Sequence, residues 1–259
     1  MPLQHFPAWL HPLALFTLTL GLACFTYILL DQRHRPAPMM AIMRWVWPIN
    51  ALWAGPLAIW AYRHIGNGGK PRITSAHPMK MDMSAGGHEM KMDMGAMKMD
   101  SMKMEHMDMG PKKPFWQSIT AGTLHCGAGC SLADLIGPWL FLFMPFLLWG
   151  SPVFGEWALD YLLALAIGVT FQHGGLIGMV PQQGAALWWR ALKVDFLSLS
   201  AWQVGMYGWM AFAIFWLIGP MHPSEPIFWL MMQIAMACGF ITAYPMNWFL
   251  VRAGIKTAM

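Results

Sequence analysis

A chain of 259 residues that is 57% hydrophobic and only 11% charged departs from the composition of a soluble globule, in which about a quarter of residues are charged, and points to the bilayer. The net charge of +4 is spread along the chain, and no basic cluster with interleaved aromatics suggests nucleic acid. The four Cys lie in or beside apolar runs and do not form the framework of a small secreted domain, whereas the 16 Trp, many near the ends of those runs, suit a membrane interface.

The first apolar run, Leu10–Leu30, is long enough as a helix to cross the hydrocarbon layer. It lacks a Lys/Arg-rich leader and a small-residue cleavage site, and reads as a retained anchor. A polar turn, Asp31–Arg44, leads to a second, shorter span at Trp45–Tyr62, which Pro48 and Pro56 should bend. Residues 64–114 are low in complexity, repeating M-K-M-D motifs without a hydrophobic period, and are expected to be disordered without a ligand.

Phe115–Trp149 is longer than one upright span needs. It accommodates either a short interfacial helix followed by a span or one long tilted helix. Further spans are expected at Trp157–Val180, Asp195–Ile218 and Ile227–Leu250, joined by Pro-containing turns at Ser151–Glu156 and Gly219–Pro226. The expected fold is therefore an all-α integral membrane protein with about six transmembrane helices. Residues 1–63 supply two of them, and residues 115–259 supply four as a compact bundle.

Thirteen of the 16 Lys and Arg fall on one side of this arrangement, so the positive-inside rule puts both termini and the Met-rich loop in the cytoplasm of a bacterial inner membrane. Whatever the absolute orientation, helix parity places the loop, His125, Cys126, Cys130, Gln172, His173, Asp195 and Asn247 in one half of the membrane.

Two features carry chemistry. The loop holds 12 Met among the 31 residues from Met79 to Met109: Met79, Met81, Met83, Met90, Met92, Met94, Met97, Met99, Met102, Met104, Met107 and Met109, with His88 and His106 between them. Neutral, soft thioether sulfur suits Cu(I) or Ag(I) and binds Zn(II) poorly. The second feature is the stretch TLHCGAGCSLAD, Thr123–Asp134. On a helix Cys126, Cys130 and Asp134 share one face, His125 lies about 100° away, and His173 could complete a low-coordinate site.

Each of these residues also has a structural explanation. Buried Cys is a common small apolar residue, and the Gly127-Ala128-Gly129 run lets helices approach closely. Gln172 and Asn247 suit interhelical hydrogen bonds, Asp195 an N-terminal cap, and Met206 and Met210 core packing.

The LHCGAGC block at Leu124–Cys130, DFLSLSAWQVGMYG at Asp195–Gly208 and PMNWFLVRAGIKTAM at Pro245–Met259 resemble the bacterial membrane family known as domain of unknown function 4396. The run Met43–Tyr62 is similar to the helix that often precedes that domain. The resemblance implies a multi-helix membrane domain with an HC-x₃-C block and no established activity, and it does not extend to the Met-rich segment.

The expected function is capture and handling of a soft ion, Cu(I) foremost. The bilayer and the ion are its immediate partners, and a copper chaperone or copper-exporting ATPase is a compatible protein partner. Neither a G-x₄-G-K-[ST] P-loop nor a D-K-T-G phosphorylation sequence occurs, and a non-enzymatic role is the preferred expectation. The alternatives are a structural or assembly membrane protein without metal, and a membrane thiol–disulfide oxidoreductase using Cys126 and Cys130.

Overall fold

A computed structural model describes residues 7–35, 42–66, 114–176 and 184–256, which belong to one compact unit. The described secondary structure is helical, with a single isolated bridge between Leu148 and Ser151 and no strand. The helices are α1 (Leu10–Asp31), α2 (Met43–Ala54), α3 (Pro56–His64), α4 (Phe115–Phe143), α5 (Pro152–Leu176), α6 (Ala185–Phe212) and α7 (Pro226–Arg252). A 3₁₀ turn, Gln32–His34, follows α1, and a π-helical turn, Ala213–Leu217, extends α6. The Met-rich segment, with its expected disorder and all its proposed ligands, lies outside the described residues.

Among the described residues, four helices are long and apolar enough to cross a membrane: α1 with its 3₁₀ turn, α4, α5 and α7. This is an α-helical membrane protein. The second expected span is two helices, because Gly55 adopts φ +52° and is followed by Pro56, which has no N–H to continue the ladder. The chain passes through Pro48 without a break. At 12 and 9 residues, neither α2 nor α3 alone reaches the roughly 20 residues that a span requires. Helix α6 is 28 residues long but carries Arg190, Lys193 and Asp195, and is not among the four.

Several boundaries differ from the sequence expectation. Phe115–Trp149 is one helix only as far as Phe143. Pro145 restricts the residue before it, and Met144 accordingly leaves the helical region at φ −133°, ψ 62°. Most of Ser151–Glu156, expected as a turn, is the first turn of α5, with Pro152 opening the helix. Asp195 does not begin a helix: α6 starts at Ala185, and Asp195 sits buried in its interior. Its expected capping role is therefore wrong. The segment Ala185–Val194 is rich in Ala, Leu and Trp and propagates helix despite its two cations.

The core is knotted around Trp202 of α6, which is fully buried. Gly127 makes room for it: a Cβ there would lie 2.3 Å from the indole ring. Trp53 meets the same indole edge-on, with ring centroids 6.0 Å apart. The N-terminal helices are also tied in by hydrogen bonds. The Asn50 amide donates to the Leu124 carbonyl at 2.9 Å, and Gln233 Nε2 donates to the Leu52 carbonyl at 2.7 Å.

Candidate functional site

Cys126, Cys130 and Asp134 lie one turn apart along α4, and all three are buried. This face receives α5 and α6 closely because its residues between the thiols are small. Gly127 packs on Trp202, and a Cβ on Gly129 would lie 3.0 Å from the Gly168 Cα of α5. Small residues at such contacts bring backbones together and leave the polar side chains on either side enclosed.

The half of the face nearer the start of α4 is organised around Cys126. Its thiol donates to Asp195 Oδ1 at 3.5 Å and also faces the Cys130 thiol and the Ser198 hydroxyl. Ser198 follows Asp195 by three residues on α6, so both present to the same neighbour. Its hydroxyl donates to Asn247 Oδ1 at 2.9 Å, and the Asn247 amide donates to the Ala243 carbonyl at 2.9 Å.

The same Asn247 oxygen accepts from Lys256 Nζ at 2.7 Å. Lys256 is only 4% exposed, although it lies beyond the end of α7. Gly254, at φ +69°, turns the chain back, and the Ile255 and Lys256 N–H groups both donate to the Leu250 carbonyl, at 3.0 and 3.1 Å. The ammonium is thereby carried under the bundle, close enough to His125, Cys126 and Asp195 to act on each electrostatically.

The other half of the face is acidic. The carboxyl groups of Asp134 on α4 and Asp160 on α5 face each other, and both residues are buried. The Tyr207 hydroxyl donates to Asp160 Oδ2 at 3.0 Å and to the Trp157 carbonyl at 2.9 Å. Neither Asp134 oxygen has a donor among the described residues, and the buried Gln203 amide stands beside Asp160, within reach of its carboxyl group. A pocket opens onto this half, with Asp160, Glu156 and Tyr207 among its lining residues.

The sequence segment that builds both halves, residues 115–256, matches the family model described as Domain of unknown function (DUF4396). The chain belongs to this family. Comparison with curated proteins and with solved structures gives no match. The three sequence blocks fall in the matched segment as far as Lys256, the similar run Met43–Tyr62 lies outside it, and the DUF4396 domain here supplies α4 to α7 together with the turn that holds Lys256.

Of the residues expected to form a metal site, the DUF4396 domain brings Cys126 and Cys130 together. His125 is buried beside them but faces Phe171, with ring centroids 6.2 Å apart and the Phe171 backbone within reach of its imidazole. His173 stacks on Trp188 of α6 at 4.0 Å between ring centroids. Among the described residues, no three His, Cys, Asp or Glu side chains converge as a ligand set. All four Cys are free thiols, with Cys24 and Cys238 away from this face.

Sequence reasoning missed Lys256, Ser198, Asp160 and Tyr207. Lys256 counted only as a topology charge. Asp160 carried a usable signal, since an acidic residue inside an apolar span is a functional candidate on that ground alone.

Proposed function

We propose that this protein captures and handles a soft monovalent metal ion, Cu(I) in the first instance, with Cys126 and Cys130 as the interior site and the Met79–Met109 segment as the capturing arm. The observation that carries the reading is a pair of buried thiols with a buried ammonium nearby: Cys126 faces Cys130, and Lys256 lies close enough to Cys126 to act on it. Two thiolates satisfy Cu(I) in a two-coordinate site, so a set of three converging ligands is not required. Such a bis-thiolate complex carries one excess negative charge, which apolar surroundings tolerate only beside a cation, and Lys256 supplies one.

The disulfide alternative is weakened by local geometry. Helix α4 runs unbroken through Gly127 and Gly129, and thiols one turn apart on a regular helix have poorly directed Cβ atoms for a bond. In this reading α2 and α3 together make one broken span and α6 another, for six in all. The protein resides in a bacterial inner membrane, with both termini and the Met-rich segment in the cytoplasm. Reporter fusions after Pro111 and after Met259 should both report the cytoplasmic side, and opposite sides would refute the six-span count.

The functional test is the Cu(I) content of purified protein, with and without residues 79–109. Removing the segment should lower capacity and spare one tight site. Cys126→Ser and Cys130→Ser should each abolish most of that tight binding, and the double variant should lose little more, because the two ligands act as a unit. Folded Ser variants that keep full metal content in the shortened chain would reduce the thiols to packing residues.

A further inference from the structure

The carboxyl half of the α4 face is not used by the metal reading. Asp134 and Asp160 meet inside the bundle, each at most 5% exposed. Around them stand Cys130 from α4, Glu156 from α5, and Tyr207 and Gln203 from α6. Helix α7 contributes Phe228 and Met232 to the adjoining pocket, both without charge. No described lysine, arginine or histidine acts on either carboxyl group.

Two carboxylates in contact, in apolar surroundings and without a cation, repel each other strongly and are poorly solvated. Tyr207 offers its single hydrogen to Asp160 Oδ2 and to the Trp157 carbonyl, which leaves Asp160 Oδ1 and both Asp134 oxygens without a donor. One added hydrogen repairs this arrangement. A proton on either carboxyl forms a hydrogen bond to the other, and the net charge of the pair falls to minus one, as in paired carboxyl sites generally.

We propose that Asp134 and Asp160 form a proton-binding site reached through the pocket at the end of the bundle away from the thiols. Asp160 lines that pocket, and Asp134 faces Asp160 from α4. The other lining residues fix the end: Val153 and Glu156 belong to the start of α5, and Pro220 and Met221 to the turn before α7. Cys126, Asp195, Asn247 and Lys256 instead come from the start of α4, the first half of α6 and the end of α7 with its following turn.

In the reaction, a proton from pocket water adds to one carboxylate oxygen and leaves by the same route. No electron moves and no other bond is made. Intramembrane carboxyl groups of this kind serve proton relays, and this one draws from one end of the bundle. The inference does not depend on metal binding by the thiols.

The test uses the full chain in lipid nanodiscs at neutral pH and without metal. Infrared spectra should contain a D₂O-sensitive protonated-carboxyl carbonyl band that loses a component, relative to wild type, in Asp134→Asn and in Asp160→Asn, while any contribution from the buried Asp195 and Glu156 is common to all three spectra. A wild-type spectrum without that band, or folded variants whose bands both equal the wild-type band, overturns the proposal. If the variants do not fold, wild-type protein is treated with dicyclohexylcarbodiimide, which modifies protonated carboxyl groups in apolar sites, and the adduct is mapped by mass spectrometry. Modification of Asp134 or Asp160 supports the site, and modification of neither overturns it. With no metal in either measurement, failure here leaves the thiol reading untouched.

Discussion

At one end of the buried α4 face, Cys126 and Cys130 share their surroundings with an ammonium, that of Lys256, and with Asn247, Ser198 and Asp195. At the other end, Asp134 and Asp160 meet with the Tyr207 hydroxyl and the Gln203 amide, both neutral, beside Asp160. Both ends bury groups that can carry negative charge, and burial makes an uncompensated charge expensive at each. The thiol end is compensated by a fixed cation that a turn of the chain delivers. The carboxyl end has no such cation and is compensated, under our proposal, by a proton that can come and go. A fixed countercharge suits a site that holds an anionic complex, and an exchangeable one suits a site that loads and unloads.

Replacing the fixed cation should break this comparison most sharply. Lys256→Met keeps the apolar stem and removes the ammonium that donates to Asn247. A group next to a metal's ligands typically changes metal affinity by about 10- to 100-fold, and we expect a loss of that size in Cu(I) affinity, measured by competition with a chromophoric chelator. The infrared signature of the carboxyl pair should be unchanged. Undiminished Cu(I) affinity in a folded Lys256→Met protein would remove the counterion role, and the contrast between the two ends would then have no electrostatic basis.

The parts of this arrangement that could be read from the sequence are those with a local cause. Apolar runs of spanning length gave α1, α4, α5 and α7, and the i, i+4, i+8 spacing put Cys126, Cys130 and Asp134 on one face. Helix parity expected Asp195 and Asn247 near the thiols, and the structure hydrogen-bonds Asp195 to Cys126 and Asn247 to Ser198. What escaped depends on tertiary structure. Lys256 looks like any cytoplasmic cation in sequence, because its burial is imposed by the turn at Gly254 and by the space beneath Gly122, where an added Cβ would lie 4.0 Å from the Lys256 Cε.

Asp195 looked like a cap because Arg190 and Lys193 break the apolar run, yet backbone helicity does not require that run to be continuous. The role of Asp134 needs Asp160, 26 positions later on another helix, and no one-dimensional spacing links them. The packing of Gly127 on Trp202 was foreshadowed only as a general tendency of small residues to permit close approach, since the identity of the partner ring is a matter of three-dimensional register.

A smaller perturbation at the acidic end sharpens the same contrast. Tyr207→Phe removes one hydroxyl from an otherwise apolar contact: the Tyr207 ring stacks on Trp157 at 5.0 Å and 5°, and Phe can keep that stack. What is lost is the donor to Asp160 Oδ2 and to the Trp157 carbonyl. The net value of such a hydrogen bond is about 1 kcal/mol, so a modest fall in unfolding free energy is expected in a detergent denaturation series. With the hydroxyl gone, the shared proton and the Gln203 amide are the hydrogens left to the pair, and the protonated-carboxyl band should shift but persist. Cu(I) affinity should stay at the wild-type value, because Tyr207 hydrogen-bonds to Asp160 and Trp157 and to neither thiol. A fall in Cu(I) affinity comparable to that of Lys256→Met would mean that the two ends act as one site, and the division drawn here along α4 would have to be abandoned.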